Sequence, residues 1–135
     1  MHRARVLLVD DNLEFLDIAA AMLEANNFEV VNKACNGEEG LNAALRLDPD
    51  VVVLDISMPL LNGFEVARRL QQQKHRAALV LLTFHEDVEF VRAARSLGVL
   101  GYVIKRRMAS DLPTAVSTVL AGQVFVSPPL ALNDE

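Results

Sequence analysis

Four short apolar runs in this chain each lead directly into a residue type that can bind a phosphoryl group or a metal ion. The residues concerned are Asp10 with Asp11, Asp55, Thr83 and Lys105. Short runs rich in Val and Leu that alternate with helical stretches are typical of parallel strands buried on both faces. Ligands of open α/β sheets bind beyond the carboxyl ends of the strands. We therefore expect three carboxylates, a hydroxyl and an ammonium to meet in one crevice.

The three carboxylates are the most informative part of this set. Two ionised carboxylates a few ångströms apart repel each other by roughly 4 kcal/mol at an effective dielectric constant near 20. Asp10, Asp11 and Asp55 can remain ionised together only beside a cation, and their oxygen atoms suit Mg²⁺. A simpler interpretation is that Asp10 and Asp11 cap the next helix and that Asp55 begins a turn. Two neighbouring strands that both end on aspartate favour the metal site.

The spacing of the apolar runs predicts the elements that position these side chains. Strand candidates begin near Arg5, Phe28, Val51, Ala78 and Gly101, at intervals of 23 to 27 residues. Each interval accommodates one strand and one crossover helix. Because crossovers are right-handed, few topologies remain. We predict an α/β, flavodoxin-like, doubly wound five-stranded parallel sheet with strand order 2-1-3-4-5 and five helices.

Capping signals indicate where the helices begin. Asn12 and Asn36 are the predicted N-caps of the first two helices, since each precedes an apolar pattern with helical spacing. The other three helices are predicted over residues 63–73, 86–97 and 110–121. Ser110 would cap the last of them.

Length, composition and charge limit the class of protein. With 135 residues the chain is long enough for one domain, and 52% hydrophobic against 23% charged residues indicates a compact core. The formal net charge of −5 argues against direct contact with nucleic acid. The single cysteine suits a reducing compartment, and no apolar run has the length of a membrane span. We expect a cytoplasmic protein that makes no membrane contact.

Four motifs at the strand ends resemble those of a known family. They are Val9-Asp10-Asp11, Asp55-Ile56-Ser57-Met58-Pro59 with Gly63, Leu82-Thr83, and Gly101-Tyr102-Val103-Ile104-Lys105. In order and spacing they resemble the receiver domain of bacterial two-component response regulators, which has a CheY-like fold. The segments 83–87 and 119–128 resemble the LuxR/NarL-type subgroup, in which a helix-turn-helix output domain follows the receiver. The resemblance implies a receiver over residues 1–122 and a tail, or the start of a linker to an output domain, over 123–135.

The resemblance also implies a phosphorelay function centred on Asp55. Asp55 would accept a phosphoryl group from a sensor histidine kinase. Asp10, Asp11, Asp55 and the backbone carbonyl of Ser57 would hold Mg²⁺ or Mn²⁺. Such a domain is not an enzyme in the ordinary sense, because it catalyses only its own phosphorylation and dephosphorylation.

Three further residues receive roles from the same resemblance. Lys105 would pair with one phosphoryl oxygen, and the hydroxyl of Thr83 would form a hydrogen bond with another. Tyr102 would be an aromatic switch that changes rotamer as Thr83 moves. The implied partners are the sensor kinase, an output domain that regulates transcription, and a second copy of the chain after phosphorylation.

Two alternatives stay open beside a phosphorylated transcription regulator. One is a stand-alone receiver that acts by protein–protein interaction, and the other is a receiver-like binding module that is independent of phosphate. A Mg²⁺-dependent phosphatase of the haloacid dehalogenase type is disfavoured, because Asp10-Asp11 lacks the D-x-D spacing of that class.

Four residues around the motifs carry further expectations. Arg106 stands where many receivers have proline, and Phe84 is bulkier than the small residue usual after the threonine. Two roles stay open for Phe84, which are to narrow the access of phosphate and to add to a partner surface. Ser57 and His85 lie two residues beyond Asp55 and Thr83, where their side chains would flank an attacking water. We hypothesise that Ser57 and His85 tune autodephosphorylation.

Overall fold

The computed structural model describes residues 3–130, and they form one parallel sheet covered by helices on both faces. The strands are β1 (Arg5–Val9), β2 (Glu29–Ala34), β3 (Val51–Leu54), β4 (Ala78–Thr83), β5 (Gly101–Ile104) and β6 (Phe125–Val126). Their order in the sheet is β2-β1-β3-β4-β5-β6, and every neighbouring pair is parallel. The predicted doubly wound order 2-1-3-4-5 is confirmed, with a sixth strand added at one edge.

Five α-helices connect the strands. They are α1 (Leu13–Ala25), α2 (Gly37–Leu47), α3 (Gly63–Gln72), α4 (Val88–Ser96) and α5 (Met108–Leu120). Single 3₁₀ turns occur at Lys105–Arg107 and Pro128–Leu130. None of the helices within residues 3–130 has both the length and the apolar character needed to cross a bilayer.

The sheet separates two apolar cores, which follow from the alternation of side chains along each strand. In β1, Leu7 and Val9 face the core formed with α2, α3 and α4, whereas Val6 and Leu8 face the core formed with α1 and α5. All four residues of β3 are buried. A central parallel strand that is covered on both faces therefore appears in the sequence as a continuous apolar run.

The two predicted asparagine caps are confirmed, whereas the fifth helix begins earlier than predicted. The side chains of Asn12 and Asn36 accept hydrogen bonds from Phe15 N at 3.2 Å and Glu39 N at 2.9 Å. Ser110 does not cap a helix. Its hydroxyl donates to Arg107 O at 3.2 Å, inside a helix that continues directly from the 3₁₀ turn after β5.

The segment after α5 returns to the sheet. Ser127 is fully buried, and its hydroxyl donates to Asp111 Oδ2 at 2.8 Å and accepts from Ile104 N at 3.0 Å. Leu130 is buried in the core on the α2–α4 side. Residues 125–130 therefore pack on the receiver sheet, although they lie in the predicted tail. Residues 131–135 of that tail lie outside the described part of the chain, and the division after residue 122 stays a prediction.

Candidate functional site

Sheet pairing beyond the ends of β1 and β3 brings two aspartates side by side. Asp10 N donates to Ala34 O at 3.0 Å and Asp55 N donates to Val9 O at 3.1 Å, so the hydrogen-bond ladder continues one residue past each strand. Asp10 and Asp55 are buried, whereas Asp11 is exposed. One oxygen from each of the three carboxylates lies within 4.8 Å of the other two. The predicted carboxylate cluster is present.

Lys105 enters this cluster from the end of β5. Its side chain is 3% exposed, and Nζ lies 2.7 Å from Asp10 Oδ2 and 3.3 Å from Asp55 Oδ2. Burial raises the pKa of Asp10, although hydrogen bonds from Lys105 and from the backbone N–H of Asn12 oppose that shift. One ammonium therefore pairs with two of the three carboxylates, and the cluster has more acidic groups than cations.

The donor set fits a hard divalent cation. Three carboxylates supply only oxygen atoms, and the exposed position of Asp11 leaves one side of the cluster open to solvent. Mg²⁺ takes one or two protein carboxylates and completes its octahedron with water and phosphate oxygens. Ser57 lies two residues beyond Asp55 on the β3–α3 loop, and the role of its carbonyl stays a prediction.

The β3–α3 loop folds tightly against Asp55. Gly63 N donates to Ile56 O at 2.9 Å, and a Cβ atom at Gly63 would collide with the carbonyl oxygen of Asp55. Glycine is therefore required at this position. Leu60, in the same loop, is 89% exposed and has a φ of 70°, which is the left-handed region that a leucine rarely adopts.

His85 connects the loops around the site through three hydrogen bonds. Its backbone N–H donates to Thr83 Oγ1 at 3.3 Å, and its backbone carbonyl accepts from the Tyr102 hydroxyl at 2.8 Å. Its Nε2 lies 2.8 Å from Ser57 Oγ. Thr83 and Tyr102 are both buried. The sequence places Ser57 and His85 near the site, but it contains no signal for their direct contact.

Burial also fixes the protonation of the predicted switch residue. The pKa of the Tyr102 phenol is raised by burial and by the nearby carboxylates of Asp87 and Asp55. The hydroxyl therefore stays protonated and continues to donate to the β4–α4 loop. Arg106 contacts the same loop, with Nε 2.7 Å and Nη2 2.9 Å from the Glu86 carboxylate.

Two aromatic rings also contact Lys105. Its Nζ lies 4.1 Å from the ring centroid of Phe15 and 4.9 Å from that of Phe84. Phe15 stands in the first turn of α1, three residues after the Asn12 cap. Nothing in its spacing distinguishes it from a residue of the core, and only the tertiary structure reveals the contact.

Comparison with known proteins defines the class. A family model described as the response regulator receiver domain matches residues 6–117. The chain therefore belongs to the response regulator receiver domain family of two-component systems, and the resemblance noted in the sequence is confirmed.

Individual relatives place the chain near regulators of transcription. It is 34% identical to the response regulator GacA of Pseudomonas viridiflava over 128 residues, which is 94% of this chain and 60% of GacA. It is 29% identical to the transcriptional regulatory protein DegU of Brevibacillus brevis over 133 residues, which is 98% of this chain and 56% of DegU. The chain thus spans less than two thirds of either relative.

Solved structures agree with the fold. A two-component response regulator of the LuxR family from Aurantimonas sp. SI85-9A1 superposes with a TM-score of 0.91 at 29% identity, covering 96% of this chain and 93% of that one. A response regulator receiver domain protein from Clostridium thermocellum gives a TM-score of 0.81 at 29% identity, covering 88% and 95%. The LuxR-family neighbour agrees with the subgroup suggested by the sequence.

Proposed function

We propose that Asp55 is the phosphoacceptor of a two-component phosphorelay and that this chain is the receiver of the signal. The observation that carries the proposal is the position of the Asp55 carboxylate. It lies at the carboxyl end of β3, with the Lys105 ammonium 3.3 Å away and the carboxylates of Asp10 and Asp11 within 4.8 Å. The proposed nucleophilic oxygen, a cluster of acidic ligands and an ammonium are therefore adjacent.

The reaction is a transfer between a phosphohistidine and Asp55. A carboxylate oxygen of Asp55 forms a bond to phosphorus while the bond from phosphorus to the histidine nitrogen breaks. The electron pair of that P–N bond stays on the imidazole nitrogen, which takes up a proton from solvent. In such transfers the protein contributes mainly position and charge neutralisation. Lys105 supplies a positive charge for one phosphoryl oxygen.

Asp10, Asp11 and Asp55 would hold Mg²⁺ or Mn²⁺, together with the carbonyl of Ser57. The ion would neutralise the excess negative charge of the cluster and of the incoming phosphoryl oxygens. Asp10 also pairs with Lys105, whose Nζ lies 2.7 Å from Asp10 Oδ2, so it would hold the ammonium beside the cluster.

Thr83 and Tyr102 would transmit the change to the β4–α4 loop. The phosphorylated Asp55 carries nearly two negative charges and three strong acceptors. The Thr83 hydroxyl, which now accepts from His85 N at 3.3 Å, would turn to donate to a phosphoryl oxygen. The hydroxyl of Tyr102 donates a hydrogen bond to His85 O. A shift of His85 would therefore release Tyr102 and favour a second conformation of the β4–α4 loop.

The test is phosphorylation by acetyl phosphate with Mg²⁺, read as intact mass. We expect one phosphoryl group on the wild type, none on Asp55→Asn and none after chelation of the metal. Asp17→Asn is the matched control, because Asp17 has a side chain that is 72% exposed on α1. It should accept the phosphoryl group normally. No adduct on the wild type, and no spectral response to beryllofluoride, would favour the phosphate-independent binding module.

We also propose that Ser57 and His85 set the lifetime of the acyl phosphate. Their side chains are 2.8 Å apart at the mouth of the site, where they would order or exclude the hydrolytic water. We expect Ser57→Asn and His85→Ala each to change the rate at which the phosphoryl group is lost. Equal lifetimes in the wild type and in both variants would overturn this role.

For output, we propose regulation of transcription through a helix-turn-helix domain, with a sensor histidine kinase as the phosphodonor and dimerisation on phosphorylation. The names of the relatives and the LuxR-family structural neighbour support this proposal. The experiment is to read the gene beyond codon 135 and to measure DNA binding of its full product with and without beryllofluoride. A stop codon directly after residue 135 would favour a stand-alone receiver that acts on a partner protein.

A further inference from the structure

The ammonium of Lys105 is enclosed by two kinds of group. Two carboxylates approach it from the cluster, with Asp10 Oδ2 at 2.7 Å and Asp55 Oδ2 at 3.3 Å. Two aromatic rings approach it as well, with the centroid of Phe15 at 4.1 Å and that of Phe84 at 4.9 Å. Both distances lie within the 6 Å or so at which a ring face attracts a cation.

The two rings also contact each other and come from different parts of the fold. Their centroids are 5.3 Å apart with an angle of 82° between the planes. Phe15 is half-buried on α1, whereas Phe84 follows Thr83 directly and is 62% exposed. A ring left so exposed on the rim of a polar site gains little from burial. The exposed ring of Phe84 instead gains an electrostatic attraction to the buried ammonium of Lys105.

A second aromatic pair in the chain provides a comparison. Phe64 and Phe90 meet with nearly the same geometry, at 5.8 Å and 87°. The ring of His85 lies beside that pair, 4.8 Å from that of Phe90, whereas the ring contacts of Lys105 within residues 3–130 are with Phe15 and Phe84. The two pairs therefore share the geometry of the ring-to-ring contact, whereas the pair of Phe15 and Phe84 has the Lys105 ammonium beside it and one more exposed ring.

We propose that Phe15 and Phe84 are positioning residues for Lys105, whose ring faces hold the ammonium at the mouth of the crevice. This inference rests on the proposed phosphoacceptor function, in which Lys105 must meet a phosphoryl oxygen. The rings restrict a flexible four-carbon side chain that could otherwise extend into solvent. They also exclude water from one side of the ammonium, which strengthens its attraction to the carboxylates.

The first test does not depend on phosphorylation. The chain has three lysines, and Lys33 and Lys74 are exposed. A proton near the face of an aromatic ring resonates upfield, so we expect the ε-methylene protons of Lys105 to lie upfield of those of Lys33 and Lys74. The displacement should shrink in Phe84→Leu and persist in Phe84→Trp. Coincident lysine signals in the wild type would overturn the proposal.

The second test distinguishes electrostatic attraction between the ring face and the ammonium from shielding of the ammonium by the shape of the ring alone. Site-specific 3,4,5-trifluorophenylalanine at position 15 keeps the shape of the ring but removes the negative potential of its face. We expect phosphorylation by acetyl phosphate to slow by about three- to tenfold, which corresponds to a cation–π contact between the exposed and the desolvated limits. The same residue at position 64 is the matched control and should leave the rate unchanged.

The outcomes distinguish this inference from the function on which it rests. If the wild type accepts no phosphoryl group, the proposed function fails, and the lysine spectrum still decides whether the rings position Lys105. If phosphorylation proceeds and fluorination at positions 15 and 64 has equal effects, the rings act only by packing and the inference fails. An upfield displacement of the Lys105 signals that persists in Phe84→Trp and shrinks in Phe84→Leu supports the inference.

Discussion

The two ends of the sheet both carry charged clusters, but they differ in burial and in charge balance. At the amino end, Arg76 lies between two aspartates, with Nη1 2.9 Å from Asp50 Oδ1 and Nε 3.2 Å from Asp48 Oδ2. Arg5 adds backbone contacts, since its guanidinium donates to Leu47 O at 2.9 Å. The side chain of Arg76 is 55% exposed, whereas that of Lys105 at the carboxyl end is 3% exposed.

This difference shows how aspartates and basic residues form an exposed network of ion pairs at one end and the buried, proposed phosphoacceptor site at the other. At the amino end, basic and acidic side chains are present in similar number and are exposed. Water screens such ion pairs, and each contributes little to stability. In a buried cluster with more carboxylates than cations, desolvation and mutual repulsion destabilise the ionised carboxylates. A bound divalent cation would offset this destabilisation. Burial and unequal charge, rather than the presence of charge, distinguish the end at which we propose the phosphoacceptor site.

The largest expected effect on stability comes from removing the buried cation, Lys105, and the exposed cation Arg76 provides the comparison. Lys105→Met should lower the free energy of unfolding by roughly 3 kcal/mol without metal, because it leaves the buried carboxylates of Asp10 and Asp55 without their partner. Arg76→Met, at the exposed end, is the matched control and should lower stability much less. Urea denaturation at neutral pH measures both. Equal losses would remove the distinction between the two ends.

Metal binding should stabilise the protein only through the carboxyl end. At a Mg²⁺ concentration of about 100 times the dissociation constant, the free energy of unfolding should rise by about 2.7 kcal/mol. Asp11→Asn should abolish most of this gain, whereas Arg76→Met should retain it. Thermal denaturation with and without Mg²⁺ is the measurement. A gain that survives in Asp11→Asn would place the ion elsewhere.

Asp111 provides a third case, a buried carboxylate that has enough hydrogen-bond donors to stabilise its charge. Burial by itself would raise the pKa of Asp111, but hydrogen bonds from Arg107, Ser127 and Ser110 outweigh burial and hold the pKa below its usual value. A lowered folded-state pKa gives stability that is present above the unfolded-state pKa and is lost as the pH falls through the folded value.

We therefore expect wild-type stability to decline in acid as Asp111 is protonated, and Asp111→Asn to flatten that decline. Asp111→Asn should also be less stable than the wild type at neutral pH. Asp17→Asn serves as the control, because Asp17 pairs with Lys33 in solvent. Urea denaturation between neutral pH and pH 3 measures the effect. Parallel acid profiles for wild type and Asp111→Asn would contradict it.

The smallest effect concerns backbone strain, which should be independent of the charge at either end. Leu60 beside the site and Lys74 after α3 have positive φ values of 70° and 54°. Leu60→Gly and Lys74→Gly should each leave stability unchanged or raise it by up to about 1 kcal/mol, because relief of strain exceeds or offsets the added chain entropy. Chemical denaturation of both variants checks this. A loss at Leu60 alone would indicate that its side chain is needed by the site loop.

Several features could be predicted because their signals are local in the sequence. The apolar runs identify the central strands, since a parallel strand covered on both faces must be apolar throughout. The caps at Asn12 and Asn36 follow from one side chain and the next turn of backbone. The start of the fifth helix at Met108 was missed, because the 3₁₀ turn after Lys105 leaves no capping signal of its own.

The predicted strand ends located the site, because parallel strands bring their carboxyl ends to one edge whatever their separation in sequence. For this reason the sequence alone is enough to group Asp10, Asp55 and Lys105. The hydrogen bonds of His85 and the pairing of the short strand β6 with β5 could not be predicted. The first depends on loop geometry, and the second involves a strand of two residues, too few for a periodic pattern.

The sequence by itself thus indicated the order of the first five strands, the edge at which Asp10, Asp55 and Lys105 meet and the family that the motifs resemble. These follow from periodicity, chirality and motif order, which are properties of the linear chain. The tertiary structure decided that Lys105 lies between Phe15, Phe84 and the carboxylates, and that Ser127 is bonded to Asp111. Such contacts depend on side-chain directions across distant segments, and the linear pattern does not encode them.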